Sequence, residues 1–244
     1  MLPIGDRNPT RTTPFVNYTL IALNLLVFVW QFRVASHGGE AWLVPGYGLV
    51  PARLTLDLPG EAFTIFTSMF MHGGLMHLGG NLLFLYIFGD NVEDSVGHFR
   101  YVLFYLLSGI GAGAAQVLTD PSSQIPMVGA SGSIAGVLGA YMVLHPRAPI
   151  TVLMFPPLAF FVGFFIVVPA WLVIGGWFLV QLLSGLGSLA SVQTGGVAFF
   201  AHVGGFLTGL LFVRPFHAGR PRARGDIWSG WRAPERASAG RRWN

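Results

Sequence analysis

Six apolar stretches recur along the sequence, at roughly residues 15–34, 76–91, 100–119, 130–145, 165–185 and 199–214. A membrane-spanning helix needs about 20 mostly apolar residues, because lipid offers no partner to an exposed backbone N–H or C=O and the helix must satisfy its own. The pattern predicts an all-α polytopic membrane protein built as a six-transmembrane-helix bundle. The second and fourth stretches are short or rich in glycine, as expected of helices that begin below the membrane surface or lie inside the bundle, and hydropathy underrates such helices. Composition agrees, with 53% hydrophobic and only 10% charged residues where a soluble domain carries about 25% charged.

All 14 basic residues are arginine, and eight of them (Arg214, Arg220, Arg222, Arg224, Arg232, Arg236, Arg241, Arg242) fall in the last 31 residues. Against Asp226 and Glu235 this gives the tail +6, while six arginines and eight acids leave the rest at −2. A basic segment beside an apolar one fits positive-inside topology and attraction to anionic lipid, so membrane lipids are expected partners and nucleic acid is not. An even number of spans puts both termini on one side, and the tail, Arg7, Arg11 and Arg147 assign that side to the cytosol. Three regions follow: a cytosolic N-terminal segment (1–14), a membrane domain (15–214) and a basic tail (215–244) whose composition reads as disordered. The first apolar run exceeds the ~7–15 residues of a signal-peptide core, and Arg33 interrupts the approach to Val34-Ala35-Ser36, so the run is read as a retained helix. Residues 35–75 read as an ordered external loop, and Pro156-Pro157 delays the fifth helix. With no cysteine, neither a disulfide framework nor a Cys-based metal site is available.

Chemistry is sought among polar residues that are expensive to bury in such runs: His77 and Asn81, Ser131 and Ser133, and His202. Each alone is more readily an interhelical hydrogen-bonding group. Together they offer a nucleophile and a base, since a serine attacks a carbonyl only when a base takes its proton and histidine serves near neutral pH. Ser131 opens the fourth helix within Gly129-Ala130-Ser131-Gly132, where unpaired amides face a would-be oxyanion. Gly132 with Gly136, and Gly205 with Gly209, form small-residue faces that let helix backbones approach closely. If these faces meet, Ser131 and His202 come within hydrogen-bond range. His77 and Asn81, four residues apart, share a helix face and can donate to a developing negative charge.

The chain resembles the rhomboid intramembrane serine proteases in three motifs: His72-Gly73-Gly74-Leu75-Met76-His77-Leu78-Gly79-Gly80-Asn81, Gly129-Ala130-Ser131-Gly132 and Ala201-His202-Val203-Gly204-Gly205. The resemblance covers roughly residues 15–214. It implies a serine-type endopeptidase with a Ser131–His202 dyad, oxyanion donors His77 and Asn81, no cofactor or metal, and transmembrane protein substrates cut near the external side. It also implies a cavity open outward, with the fifth helix and nearby loops as a gate. Gly89 and Glu93 match a structural element of the family. Two departures stand out: Phe63-Thr64 stands where many members of the family carry a Trp-Arg pair that anchors the external loop, and Ala135 stands where some members place a tyrosine that supports the histidine. Absence of a targeting extension favours a prokaryotic plasma membrane.

Competing readings are weaker. Ser133 points about 200° away from Ser131 on a helix. No His-Glu-x-x-His motif supports a metalloprotease, and a lone Asp90 cannot supply an aspartyl pair. His72 reads as a structural loop residue, and His37, His98, His145 and His217 as solvated. The alternative function is a non-catalytic rhomboid-like protein that binds membrane clients. Transporters more often show charged residues within helices or internal repeats.

Overall fold

The computed structural model describes residues 1–188 and 198–219; the arginine-rich sequence from Arg220 onward, read above as a disordered tail, lies outside these residues. Strand β1 (Leu2–Asp6) precedes helix α1 (Phe15–Val34), which continues through a wider turn at Ala35–Gly39. Three short helices follow, α2 (Glu40–Tyr47), α3 (Pro51–Leu56) and α4 (Leu58–Thr67). The bundle is completed by α5 (Leu75–Val96), α6 (His98–Thr119), α7 (Ser131–Leu144), α9 (Ala170–Ser188) and α10 (Phe199–His217). Between α7 and α9 lie strand β2 (Pro149–Leu153), the single turn α8 (Ala159–Val162) and strand β3 (Phe165–Pro169).

Among the described residues four helices are long and apolar enough to cross a membrane: α1 with its continuation, α6, α9 and α10. The second and fourth expected spans do not pass that test. Helix α5 has the length, with 22 residues, but polar side chains interrupt it, and α7 is apolar but only 14 residues long. Helix α7 is the central element: every residue from Gly132 to Tyr141 is buried. Apolar burial on all sides is how a helix without an amphipathic stripe is held.

Glycines bring α10 against α7. A Cβ added to Gly205 would sit 2.0 Å from the carbonyl oxygen of Gly132, and one on Gly209 would sit 2.0 Å from that of Gly136. The two small-residue faces therefore do meet, the condition on which the sequence reading of Ser131 and His202 depends, with backbone on backbone. Helix α6 closes the other side of α10, where a Cβ on Gly204 would lie 2.2 Å from the Ala115 methyl.

The family's structural element is also in place. The buried Glu93 carboxylate accepts from the amides of Val16 at 3.1 Å and Asn17 at 2.6 Å, satisfying orphan donors at the start of α1 and opposing its dipole. Gly89 is required because a Cβ there would meet Asn17 Oδ1 at 2.1 Å. The 35–75 connection lacks the family's Trp-Arg pair, and other bonds hold it. Arg53 Nε donates to Glu61 at 2.9 Å, Thr67 Oγ1 donates to the Tyr47 carbonyl at 2.7 Å, and Leu49 pairs with Met127.

Some expectations need correcting. The chain is mostly helical rather than all-α: β1, β2 and β3 form an antiparallel sheet in that order. This draws residues 2–6 of the presumed N-terminal segment onto the α7–α9 connection, with Leu2 opposite Leu153 and Asp6 opposite Ile150. Residues 165–169 belong to β3, so the fifth long helix starts at Ala170, and α10 runs past position 214 to His217. His145 is buried and bonded to Ser95 Oγ at 3.0 Å. His98 pairs with Glu93, and His217 Nδ1 lies 3.0 Å from the Ser95 carbonyl. These three imidazoles serve as internal ties rather than solvated groups, whereas His37 is exposed.

Candidate active site

Helices α5, α7 and α10 all begin at the same end of the bundle, and their first turns carry the expected polar residues. Ser131 is the first residue of α7; His202 stands in the first turn of α10 and is buried. His202 Nε2 lies 2.7 Å from Ser131 Oγ. The glycine seam causes this: with Gly205 fixed on Gly132, the residue three positions earlier on α10 is delivered beside the start of α7.

Gly129 shapes the space in front of the serine. Its φ of +131° favours glycine, and a Cβ on it would lie 2.7 Å from His77 Nε2 and 3.5 Å from Ser131 Oγ. Both groups thus border one small space over the Gly129 backbone. The Gly73 amide donates to His77 Nδ1 at 3.4 Å, so the ring's own N–H sits on Nε2, the nitrogen facing that space. Asn81, one turn along α5, is buried and its Nδ2 amide has no partner among the described residues. Unpartnered buried donors are rare and costly. His77, Asn81, Gly129, Ser131, Trp177 and His202 all line one cavity of about 860 Å³.

The rival serine also borders this cavity, but no histidine is bonded to it among the described residues. Ser133 is buried against α6, its Oγ 2.5 Å from where a Cβ on Gly109 would be. His72 is tied to α1 by a reciprocal pair: its amide donates to Gln31 Oε1 at 2.9 Å and Gln31 Nε2 donates to its carbonyl at 3.1 Å. Among the described residues no group of three or more His, Asp or Glu could hold a metal ion.

Two site residues do not stand out in the sequence. Gln181 on α9 places Oε1 2.8 Å from His202 Nδ1, and the Trp177 ring lies 5.8 Å from the His202 ring. Position 135, where the resemblance to some family members points to a supporting tyrosine, is a fully buried alanine. A signal for Gln181 is nevertheless present: it is the one amide side chain in the strongly apolar run 170–188, and a polar residue there demands a partner.

The Rhomboid domain family matches this chain over residues 59–218. The chain belongs to the rhomboid family. This rhomboid is 34% identical over 136 residues to Rhomboid protease GluP of Bacillus subtilis (strain 168), covering 55% of the chain and 26% of that protein. It is 28% identical over 202 residues to Rhomboid protein 1, mitochondrial, of Saccharomyces cerevisiae, covering 80% and 51%. A shorter match, 29% over 91 residues, covers 37% of the chain and 6% of Inactive rhomboid protein 1 of Drosophila melanogaster. The matches span between about a quarter and a half of the length of the first curated relatives. Rhomboids are typically intramembrane serine proteases, and the family includes inactive members.

Proposed function

We propose that this rhomboid is an intramembrane serine endopeptidase in which Ser131 is the nucleophile and His202 the general base and acid. The observation that carries the reading is the 2.7 Å contact between His202 Nε2 and Ser131 Oγ, on the wall of a cavity that also holds an unpartnered Asn81 amide. As Ser131 Oγ attacks a peptide carbonyl carbon, its proton passes to Nε2; the carbonyl π electrons move to oxygen, where the His77 Nε2–H, the Asn81 amide and the Ser131 backbone N–H donate to the oxyanion. Collapse breaks the C–N bond, and the imidazolium gives its proton to the leaving amine. Water then attacks the acyl-enzyme with His202 again as base, returning Ser131.

Substrates are transmembrane proteins, unwound so that an extended segment reaches the space over Gly129. In this reading all six long helices form the membrane domain, with α5 and α7 shielded within the bundle. Both termini lie in the cytosol, the basic tail meets anionic lipid, and the cavity opens on the external side of a prokaryotic plasma membrane. No cofactor takes part.

A fluorophosphonate probe tests this without a known substrate. Purified protein should give an adduct on Ser131, mapped by mass spectrometry, that is absent from Ser131→Ala and His202→Ala and present in Ser133→Ala. Absence of any adduct on a demonstrably folded protein would replace the protease reading with client binding.

A further inference from the structure

We propose that Gln181 is a positioning residue: its side-chain carbonyl accepts the Nδ1–H of His202 and thereby holds the imidazole in the tautomer whose Nε2 can take the Ser131 proton. The proposal rests on the serine-protease reading and gives it a third member that the sequence motifs do not contain.

A glutamine Oε1 can only accept, so the 2.8 Å contact with His202 Nδ1 requires hydrogen on Nδ1. A neutral imidazole protonated at Nδ1 has its lone pair on Nε2, and that atom lies 2.7 Å from Ser131 Oγ. Without an acceptor at Nδ1, the ring would also populate the Nε2–H tautomer, which points a hydrogen at the serine and cannot act as base. When Nε2 takes the serine proton, Nδ1–H stays on Gln181, which gains and loses no proton through the cycle.

An amide suits this place better than a carboxylate. His202 is buried, and an anion here would carry a desolvation penalty that a neutral carbonyl avoids. Helix geometry supplies the mount. Trp177 and Gln181 are four residues apart on α9, so both face His202, and Phe178 stacks on Phe206 of α10 with ring centroids 4.3 Å apart. The contact therefore replaces, from α9, the support that Ala135 on α7 cannot give. It also makes the orientation of the base depend on α9, a helix whose Leu179, Val180, Leu183 and Leu186 are exposed.

The test uses the full chain in lipid bilayers, labelled with ¹⁵N-histidine, with the His202 signals assigned by their loss in His202→Asn. At neutral pH the wild type should show a protonated Nδ1 and an unprotonated Nε2. Gln181→Leu, close in volume, should show a mixture containing Nε2–H, with fluorophosphonate labelling of Ser131 slowed about tenfold to a hundredfold, the scale of one buried donor left unmatched. Gln181→Asn, one methylene too short, should behave like Gln181→Leu, and Gln181→Glu, which keeps an acceptor, should restore the Nδ1–H signal. An Nε2–H in the wild type would overturn the proposal, because the amide would then be donating. So would a Gln181→Leu protein that keeps both the tautomer and the labelling rate. If the tautomer shifts as expected while wild-type Ser131 never labels, the hydrogen bond stands and the protease reading falls.

Discussion

Near the Leu144 end of α7, polar side chains are matched to one another. Tyr141 donates to Asp6 Oδ2 at 2.6 Å, Asn91 Nδ2 donates to the same oxygen at 3.1 Å, and Asp94 accepts from Thr12 and Arg11. At the Ser131 end, by contrast, the buried Asn81 amide has no partner among the described residues and the His77 N–H faces the space over Gly129. Satisfied networks rigidify a fold; donors held unsatisfied cost stability and are retained where something else is to be bound. Helix α7 thus joins an end whose polar groups are satisfied within the structure to one whose donors stay open, as the proposed reaction requires. The glycine seam with α10 makes the two ends one rigid body, so breaking it should have the largest effect. Gly209→Ala places a methyl 2.0 Å from the Gly136 carbonyl oxygen, which forces the backbones apart at a cost of about 3 kcal/mol or more. Thermal unfolding should drop and Ser131 labelling should vanish. Gly175→Ala on α9, with nothing within 4 Å, is the control and should do neither.

Substitution of Asn81 sharpens the contrast from the other side. Asn81→Ala removes an Nδ2 amide with no partner among the described residues, so stability should stay within about 1 kcal/mol. Peptide cleavage should slow by about 10²–10³, the usual loss for one oxyanion donor. A fall in stability with unchanged rate would mean that Asn81 belongs to the structural class after all.

Much of this is readable in the sequence, for a physical reason. Glycines four apart on two helices specify a close seam, and such a seam fixes the offset between Ser131 and His202 from spacing alone. Gln181 escapes a sequence reading because a single amide in an apolar run is usually spent on interhelical bonding; only the fold shows that its partner is the histidine. The sheet escapes it for another reason. Short apolar runs such as Ile166-Val167-Val168 are ambiguous between helix and strand, and the pairing that decides them joins residues 2–6 to 149–153, far beyond any local pattern. The burial of His145 is equally non-local, since its partner Ser95 lies 50 residues away on α5.

Glu93 gives a smaller effect confined to the structural end. Glu93→Gln keeps one acceptor for the α1 amides and removes the charge that opposes the helix dipole, costing about 1–2 kcal/mol. Denaturation in detergent should register this, and probe labelling of the folded fraction should not change. Loss of labelling at full stability would show that the two ends are coupled beyond the rigid body.

The subtlest test is pH, through two groups outside the helices at the structural end. Burial pushes the Asp6 carboxyl up to about 7, reinforced by Asp90 and opposed by the Tyr141 hydrogen bond. Burial holds His145 down at about 4, opposed by Asn91. Between about pH 4 and 7 the folded chain retains the Asp6 proton that an unfolded chain has released, so this group's contribution to stability falls as pH rises. Between about 4 and 6.5 the unfolded chain binds a proton at His145 that the folded chain refuses, so that contribution rises with pH. The two slopes oppose each other, and each is isolated by comparing a variant with the wild type. Asp6→Asn removes the falling contribution, so its melting temperature should rise relative to wild type from about pH 4.5 to 6.5; His145→Gln removes the rising one and should fall relative to wild type over the same range. Should Asp6→Asn melt with the same pH profile as the wild type, the carboxyl is ionised throughout, and the network around Tyr141 holds a charge rather than a proton.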